Sequence, residues 1–272
     1  MLFDSHSHLY LSNFDNDREE IIKKLRDFNI KTINIGTDLE ESKKAVELSK
    51  KYPDLLWSSV GLHPTDNSKE NFSAQGGPAS GWNIDGYKEL AKIPNVVAIG
   101  ECGLDYYRSP SKEEIARQKE IFEKQIELAK ELNKPLVLHC RPQIGSQDAY
   151  EDVINILNSY FVIHNSDGNG VVHFFSGSKE TAKKFIDLGF YISFAGPITF
   201  APEYREVVEF VPLDKILIET DAPFASPRPY RGKRNEPAFV EFVARKIGEW
   251  KGLDFDKVAT QTHNNAKALF KI

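Results

Sequence analysis

Three residues near the N-terminus, Asp4, His6 and His8, alternate with two serines in the stretch FDSHSH. Alternate side chains of an extended strand point to the same face, so this spacing predicts that the three lie together. Two adjacent imidazoles repel each other when charged and waste hydrogen-bonding capacity when neutral, unless a cation holds them. Imidazole and carboxylate ligands together are typical of Zn, Mn or Fe sites, and a set richer in carboxylates also admits Mg.

Residues of the same chemical types recur at the ends of later strand-like segments. His63 lies in GLHP after the third segment, Glu101 in GECGLDYYR at the fourth, and His139 in LHCR at the fifth. His173 lies within the sixth segment, and Asp221 follows the eighth in ETDAPF. Together with the first histidine pair, Glu101, His139, His173 and Asp221 predict a centre of two metal ions about 4 Å apart, bridged by Glu101, for phosphate ester cleavage.

The elements that must position these residues alternate along the whole chain. Short β-branched segments predict strands at 2–5, 31–36, 55–61, 96–101, 135–140, 171–175, 190–194 and 216–220. Apolar residues spaced three and four apart predict helices at 17–28, 40–51, 113–132, 148–158, 178–188 and 235–249. This alternation predicts an α/β fold with parallel strands, either a doubly wound open sheet or a barrel. The length of 272 residues and the count of eight favour a (β/α)8 TIM barrel.

The barrel interpretation makes the chain one domain, residues 1–272, closed by a C-terminal helix over residues 254–270. Active sites of such barrels lie at the C-terminal ends of the strands, where the candidate ligands fall. Cys102 and Cys140 directly follow two of these ligands, Glu101 and His139, and should therefore face the layer between strands and helices. We expect both cysteines to be buried, which excludes a thiol nucleophile.

Composition limits the classes of function. The formal net charge of -5 argues against a protein that coats nucleic acid electrostatically, although it allows an enzyme with a positive cleft. The sequence has no apolar run long enough to span a membrane and no signal peptide, and its two cysteines indicate a reducing compartment. We therefore expect a cytoplasmic protein with no membrane association and no obligate protein partner.

Basic residues near the candidate ligands predict contacts to phosphate. Arg108 and Arg141 each follow a ligand-bearing strand, and the segment 226–237 includes Arg231 and Arg234. Guanidinium groups bind phosphate oxygens in a fork geometry, and this segment follows the eighth strand on the predicted site face. A solvated run of charge remains the alternative interpretation of the segment.

The motifs together resemble the TatD-type metal-dependent deoxyribonucleases of the amidohydrolase superfamily. The matching stretches run in order from residue 3 to residue 270: FDSHSHL, VGLHP, AIGECGLDYYR, LHCR, HFFSGS, ISFAGPITF, IETDAPF, PYRGKRNEP and NNAKALF. The combination of GLDYYR, ETDAPF and RGKRNEP is specific to this family within the superfamily. The resemblance therefore covers essentially the whole chain.

The resemblance implies site residues. It implies that a pair of divalent metal ions, Mg or Mn in function with Zn as a further option, is bound by His6, His8, Glu101, His139, His173 and Asp221. Asp221 would also orient or deprotonate the attacking water, and His63 would contact substrate or an additional ion. Asp4 is predicted to orient the ligands rather than to bind an ion.

The resemblance also implies an activity, namely 3′–5′ exonuclease cleavage of single-stranded DNA, with single-stranded 3′ ends as the binding partner. Two alternatives remain: a hydrolase of amides, lactones or other esters from the same superfamily, and a non-catalytic barrel that binds nucleic acid. Many hydrolases of the first class bridge their metals through a carboxylated lysine on the fourth strand, where this chain has Glu101. Ligand-type residues at every expected strand end argue against the second.

Three segments depart from the family pattern. Residues 66–84 and 141–147 are expected on the site face, where they would influence substrate access. Residues 163–170 are expected on the opposite face.

Overall fold

A closed ring of eight parallel strands forms the centre of the protein. The computed structural model describes residues 1–66, 83–161 and 169–272, so most of the unusual segments 66–84 and 163–170 lies outside the described residues. The strands pair in sequence order from β1 to β8. Their bounds are β1 Leu2–Ser7, β2 Ile30–Ile35, β3 Leu56–Val60, β4 Val96–Asp105, β5 Leu136–Arg141, β6 Gly170–Val172, β7 Tyr191–Phe194 and β8 Ile216–Ile218. The (β/α)8 barrel is confirmed.

Helices surround the strands. Their bounds are α1 Arg18–Asp27, α2 Leu39–Lys51, α3 Ile84–Ala91, α4 Lys112–Leu132, α5 Asp148–Phe161, α6 Lys179–Asp187, α7 Arg205–Phe210, α8 Val240–Lys251 and α9 Phe255–Phe270. The start of α4 is fixed by a capping box. The Ser111 side chain accepts a hydrogen bond from the Glu114 amide, and the Glu114 side chain accepts one from the Ser111 amide. Of the helices in the described residues, none has the length and apolar character that a membrane span requires.

The buried apolar residues form two layers on opposite faces of the strands. The larger layer lies between the strands and the surrounding helices and includes both Cys102 and Cys140. The smaller layer joins Phe3 of β1 and Val137 of β5 with Phe270 of α9, so the C-terminal helix packs into the barrel as expected. Burial raises the pKa of the Cys102 thiol well above its ordinary value. The prediction that the cysteines are buried is confirmed.

Several predicted element bounds were wrong, and backbone conformation explains two of them. β6 ends at Val172 rather than at 175, because Phe174 has a φ of 46°. β8 ends at Ile218 rather than at 220, ahead of Asp221 with a φ of 58°. Extended strands require negative φ, so neither run continues. β4 extends beyond 101 to Asp105.

The helix predictions also needed correction. The segment predicted as a helix from 235 starts as a loop, followed by a 3-10 turn over Pro237–Phe239, and α8 itself starts at Val240. The apolar pattern predicts neither α3, with 8 residues, nor α7, with 6 residues. Such short helices contain too few residues to establish a helical period.

The seam between β1 and β8 closes the barrel next to the candidate ligands. The Asp221 amide donates to the His6 carbonyl at 2.9 Å, and the His8 amide donates to the Ala222 carbonyl at 2.8 Å. Asp4 is fully buried at this seam and accepts hydrogen bonds from the amide and the hydroxyl of Thr220, both at 2.8 Å. The seam therefore brings His6 and His8 next to Asp221.

Candidate metal centre

Glu101 is the centre of the predicted ligand cluster, because its two carboxylate oxygens face different sets of imidazoles. Its Oε1 lies 2.7 Å from His139 Nδ1, 2.8 Å from His173 Nε2 and 3.4 Å from His63 Nε2. Its Oε2 lies 3.4 Å from His6 Nε2. The Glu101 side chain is only 5% exposed. One carboxylate therefore joins two neighbouring groups of nitrogen donors.

The group that faces Oε2 contains the histidine pair of the FDSHSH stretch. The Nε2 atoms of His6 and His8 are 3.3 Å apart, as the alternation of residues in FDSHSH predicts. Asp221 Oδ1 lies 3.6 Å from His6 Nε2 and 3.4 Å from His8 Nε2. The β1 register shifts between Asp4 and Ser7, yet both rings still converge on the same point.

Ligand atoms converge in three overlapping groups, with the atoms of each group within 4.8 Å of one another. The groups are His6, His173 and Asp221; His6, His8 and Glu101; and His63, Glu101 and His139. The cluster thus contains all six predicted ligands together with His63. Imidazole nitrogens and carboxylate oxygens at such spacing fit divalent transition metals, and the number of nitrogens favours Mn²⁺ or Zn²⁺ over Mg²⁺.

Partners on the far side of each ring determine which nitrogen faces the cluster. His8 Nδ1 donates to the Ile35 carbonyl at 2.8 Å, which leaves its Nε2 as the free donor atom. His173 Nδ1 lies 3.3 Å from Glu219 Oε1, and His139 Nε2 lies 3.1 Å from Asp105 Oδ2. Such hydrogen bonds fix the tautomer and orientation of metal-binding histidines.

Asp105 and Glu219 are therefore positioning residues that the sequence prediction missed. Both carboxylates lie at the ends of strands, as the predicted ligands do. This position in the sequence could have identified them as residues of the site. Asp4 was predicted to orient the ligands, but it contacts neither the His139 ring nor the His173 ring. Its Oδ1 accepts a hydrogen bond from the backbone amide of His6 at 3.4 Å. Asp4 positions the backbone of the seam instead.

The pKa shifts of the cluster residues fit a negatively charged Glu101 carboxylate surrounded by imidazoles. Burial alone would raise the pKa of Glu101, but the charges of His173, His63 and His6 bring that pKa well below its ordinary value. Burial would lower the pKa of His173, yet Glu101 raises it well above the ordinary value. Burial and the neighbouring His173 both lower the pKa of His6. A metal ion that binds the cluster therefore competes with protons for these imidazoles.

A cavity of about 660 Å³ opens above the cluster. Arg108 and Arg141 line it, as predicted for residues that contact phosphate. The Arg141 guanidinium lies 3.7 Å from the centre of the Tyr107 ring, a stacked arrangement that holds it at the rim. Phe224 also lines the cavity and is 53% exposed.

The other two predicted phosphate contacts lie elsewhere. Neither Arg231 nor Arg234 is among the described residues that line the cavity. The Arg231 guanidinium lies 3.9 Å from the centre of the Phe200 ring. Arg234 binds both carboxylate oxygens of Asp17, at 2.7 and 2.5 Å, and donates to the Asn13 carbonyl. Arg234 therefore fastens the 226–237 segment to the residues that precede α1.

We expect Arg234→Ala to act on stability rather than on catalysis. Loss of the partly exposed pair with Asp17 should reduce the free energy of unfolding by about 1 kcal/mol or less. Thermal unfolding measures that change, and the kcat/KM of the reaction that the metal centre catalyses should stay within about threefold of wild type. A tenfold loss of kcat/KM in a folded variant would show instead that Arg234 contacts the substrate.

Comparisons with known proteins agree with this geometry. The model of the family described as TatD related DNase matches residues 3–271. An uncharacterized metal-dependent hydrolase, YabD of Bacillus subtilis, is 41% identical, and the alignment covers 100% of both chains. A protein of Salmonella typhimurium named 3'-5' ssDNA/RNA exonuclease TatD is 35% identical over 100% of this chain and 99% of its own length. The crystal structure of the TatD homolog YJJV from Escherichia coli superposes with a TM-score of 0.84, at 27% identity, over 100% of this chain and 98% of that one.

Proposed function

Because the chain belongs to the TatD-related family of metal-dependent hydrolases, we propose that it removes nucleotides from the 3′ end of single-stranded DNA. The observation that carries this proposal is the division of the two Glu101 oxygens between two groups of imidazoles at the floor of a cavity with arginines at its rim. A shared carboxylate of this kind suits two metal ions acting on one phosphodiester. The relatives named 3'-5' ssDNA/RNA exonuclease support the same polarity.

The proposed ligands divide between the two oxygens of Glu101. His6, His8 and Asp221 would hold one ion with Oε2, and His139 and His173 would hold the other with Oε1. Divalent ions bound there would polarise the scissile phosphate and lower the pKa of the attacking water. His63 lies beside the second group, where it would contact the ion or the substrate.

The remaining roles belong to the side chains of this chain. Asp221 would orient the attacking water and accept its proton. Burial would raise the pKa of Asp221, but the hydrogen bond from His8 and the charge of His6 lower it, so the carboxylate stays ionised at neutral pH. Water would add to phosphorus, the bond from phosphorus to the 3′ oxygen of the preceding nucleotide would break, and a nucleoside 5′-phosphate would leave. Arg108 and Arg141 would bind the phosphate oxygens, and the exposed rings of Tyr107 and Phe224 would stack on bases.

Digestion of 5′-labelled single-stranded DNA tests this proposal. The protein is stripped with a chelator, and Mn²⁺, Mg²⁺ or Zn²⁺ is then added back. We expect no cleavage in the chelator and a ladder of products shortened one nucleotide at a time after addition of Mn²⁺ or Mg²⁺. The Asp221→Asn variant, purified in parallel, controls for contaminating nuclease.

Two outcomes would count against the proposal. Wild-type protein that leaves the labelled DNA intact with every metal is not a deoxyribonuclease. Products of mixed internal length would show endonuclease cleavage rather than removal from the 3′ end. A labelled RNA of the same sequence, run beside the DNA, shows whether the 2′-hydroxyl is accepted.

A further inference from the structure

The cavity above the metal centre differs in charge from one side to the other. Arg108, which follows β4, and Arg141, the last residue of β5, supply positive charge on one side. Glu41 and Asp66, which follow β2 and β3, supply carboxylates on the other. A uniformly basic cavity would suit a polynucleotide that extends in both directions from the cleavage point. This division of charge predicts that phosphates continue on one side only.

Glu41 is held in place by neutral donors rather than by a cation. Its Oε2 accepts hydrogen bonds from the hydroxyls of Thr37 and Tyr10, the latter at 3.2 Å. Within the described part of the chain its Oε1 has no hydrogen-bond partner, and Glu41 makes no ion pair with a lysine or arginine. The carboxylate therefore has an acceptor atom, Oε1, available beside the cavity.

The position of Glu41 relative to the metal centre follows from Tyr10. The Tyr10 hydroxyl lies 3.3 Å from His8 Nδ1 and 3.2 Å from Glu41 Oε2. Glu41 thus stands one side chain away from the His8 half of the centre, and Tyr10 and Thr37 line the cavity with it. A carboxylate so placed would contact a sugar attached to a phosphate at the centre.

We infer that Glu41 recognises the free hydroxyl of the terminal sugar and excludes a terminal phosphate. A carboxylate accepts a hydrogen bond from a hydroxyl, whereas it repels a phosphate oxygen across the same distance. The inference rests on the proposed exonuclease function and adds the chemistry of the end that the enzyme accepts. Glu41 would thereby make the enzyme specific for a 3′-hydroxyl.

Two 5′-labelled single-stranded DNAs of one sequence, ending in a 3′-hydroxyl or a 3′-phosphate, test the inference. For wild type we expect kcat/KM to be at least about tenfold higher on the hydroxyl end. Glu41→Gln should narrow that ratio to about threefold or less, because the amide no longer repels phosphate. Glu40→Gln is the matched control, since Glu40 is an exposed neighbour paired with Lys43 and should keep the wild-type ratio.

Equilibrium binding gives a second readout that needs no catalysis. Fluorescence anisotropy in chelator should show the same preference for the hydroxyl end in wild type and its loss in Glu41→Gln. If Glu41→Gln does not fold, Glu41→Asp keeps the charge and should keep discrimination against phosphate.

The outcomes separate this inference from the function on which it rests. Wild type that cleaves both ends at equal rates overturns the role of Glu41 while the exonuclease proposal stands. If Glu41→Gln lowers kcat/KM by the same factor on the hydroxyl end and on the phosphate end, Glu41 has only a structural role. That result also overturns the inference. If wild type cleaves neither DNA, the proposed function fails and this inference fails with it.

Discussion

Asp221→Asn should lower turnover on single-stranded DNA by about 10²–10⁴-fold while the barrel stays folded. Asparagine has the same shape as aspartate but cannot accept a proton from water, and it is a weaker partner for the His6 and His8 nitrogens at 3.6 and 3.4 Å. The backbone should not change, because the Asp221 amide still donates to His6 and asparagine tolerates the φ of 58°.

Single-turnover kinetics at saturating metal measure the effect, and thermal unfolding checks the fold. Asp214→Asn provides the matched control, since Asp214 is an exposed aspartate next to β8 and should retain wild-type turnover. Turnover of Asp221→Asn within threefold of wild type would show that Asp221 is not the proton acceptor.

Glu101→Gln should have the second large effect, on metal affinity as well as on activity. The change removes the negative charge that four imidazoles share: those of His6, His63, His139 and His173. Partners that only orient a ligand contribute about 10–100-fold in metal affinity, so the loss of a shared ligand should exceed about 100-fold. Metal content after dialysis should fall below that of wild type, from the proposed two ions per chain to one or none.

Glu219→Gln is the comparison variant for Glu101→Gln, because Glu219 positions a ligand and Glu101 is proposed to be one. Glu219 Oε1 accepts from the Phe174 amide at 2.7 Å and lies beside His173 Nδ1, so glutamine keeps an acceptor but loses the charge. We expect this variant to weaken metal binding by only about 10–100-fold. A Glu101→Gln protein that retains both ions as tightly as wild type would refute the shared-ligand assignment.

Barrel topology explains why the sequence was sufficient to predict the ligand cluster. Parallel strands in a closed ring bring all their C-terminal ends to one face, so His6, Glu101, His139 and Asp221 had to meet once the strands were placed. The register of each pair did not need to be known, because ligand-type residues occurred at the ends themselves.

The partners of those ligands depended on details that no sequence pattern contains. Whether Asp105 meets the Nε2 or the Nδ1 of His139 depends on the rotation of the ring, which packing fixes. Arg234 looked like a phosphate contact because its segment is basic, but its partner Asp17 lies 217 residues away along the chain. The left-handed backbone at Phe174, which ends β6, was equally invisible, since phenylalanine rarely adopts it.

The seam between β1 and β8 also determines when the centre can form as the protein is made. Asp4 and its partner Thr220 are separated by 216 residues, so a nascent chain still on the ribosome displays His6 and His8 long before Asp221 has been translated. Until then β1 has no strand on its outer edge, and the histidine pair has no carboxylate from β8. The ligand group of His6, His173 and Asp221 is therefore complete only at the last stage of folding, and the unfinished barrel exposes an unpaired strand edge that favours association with other chains or with chaperones.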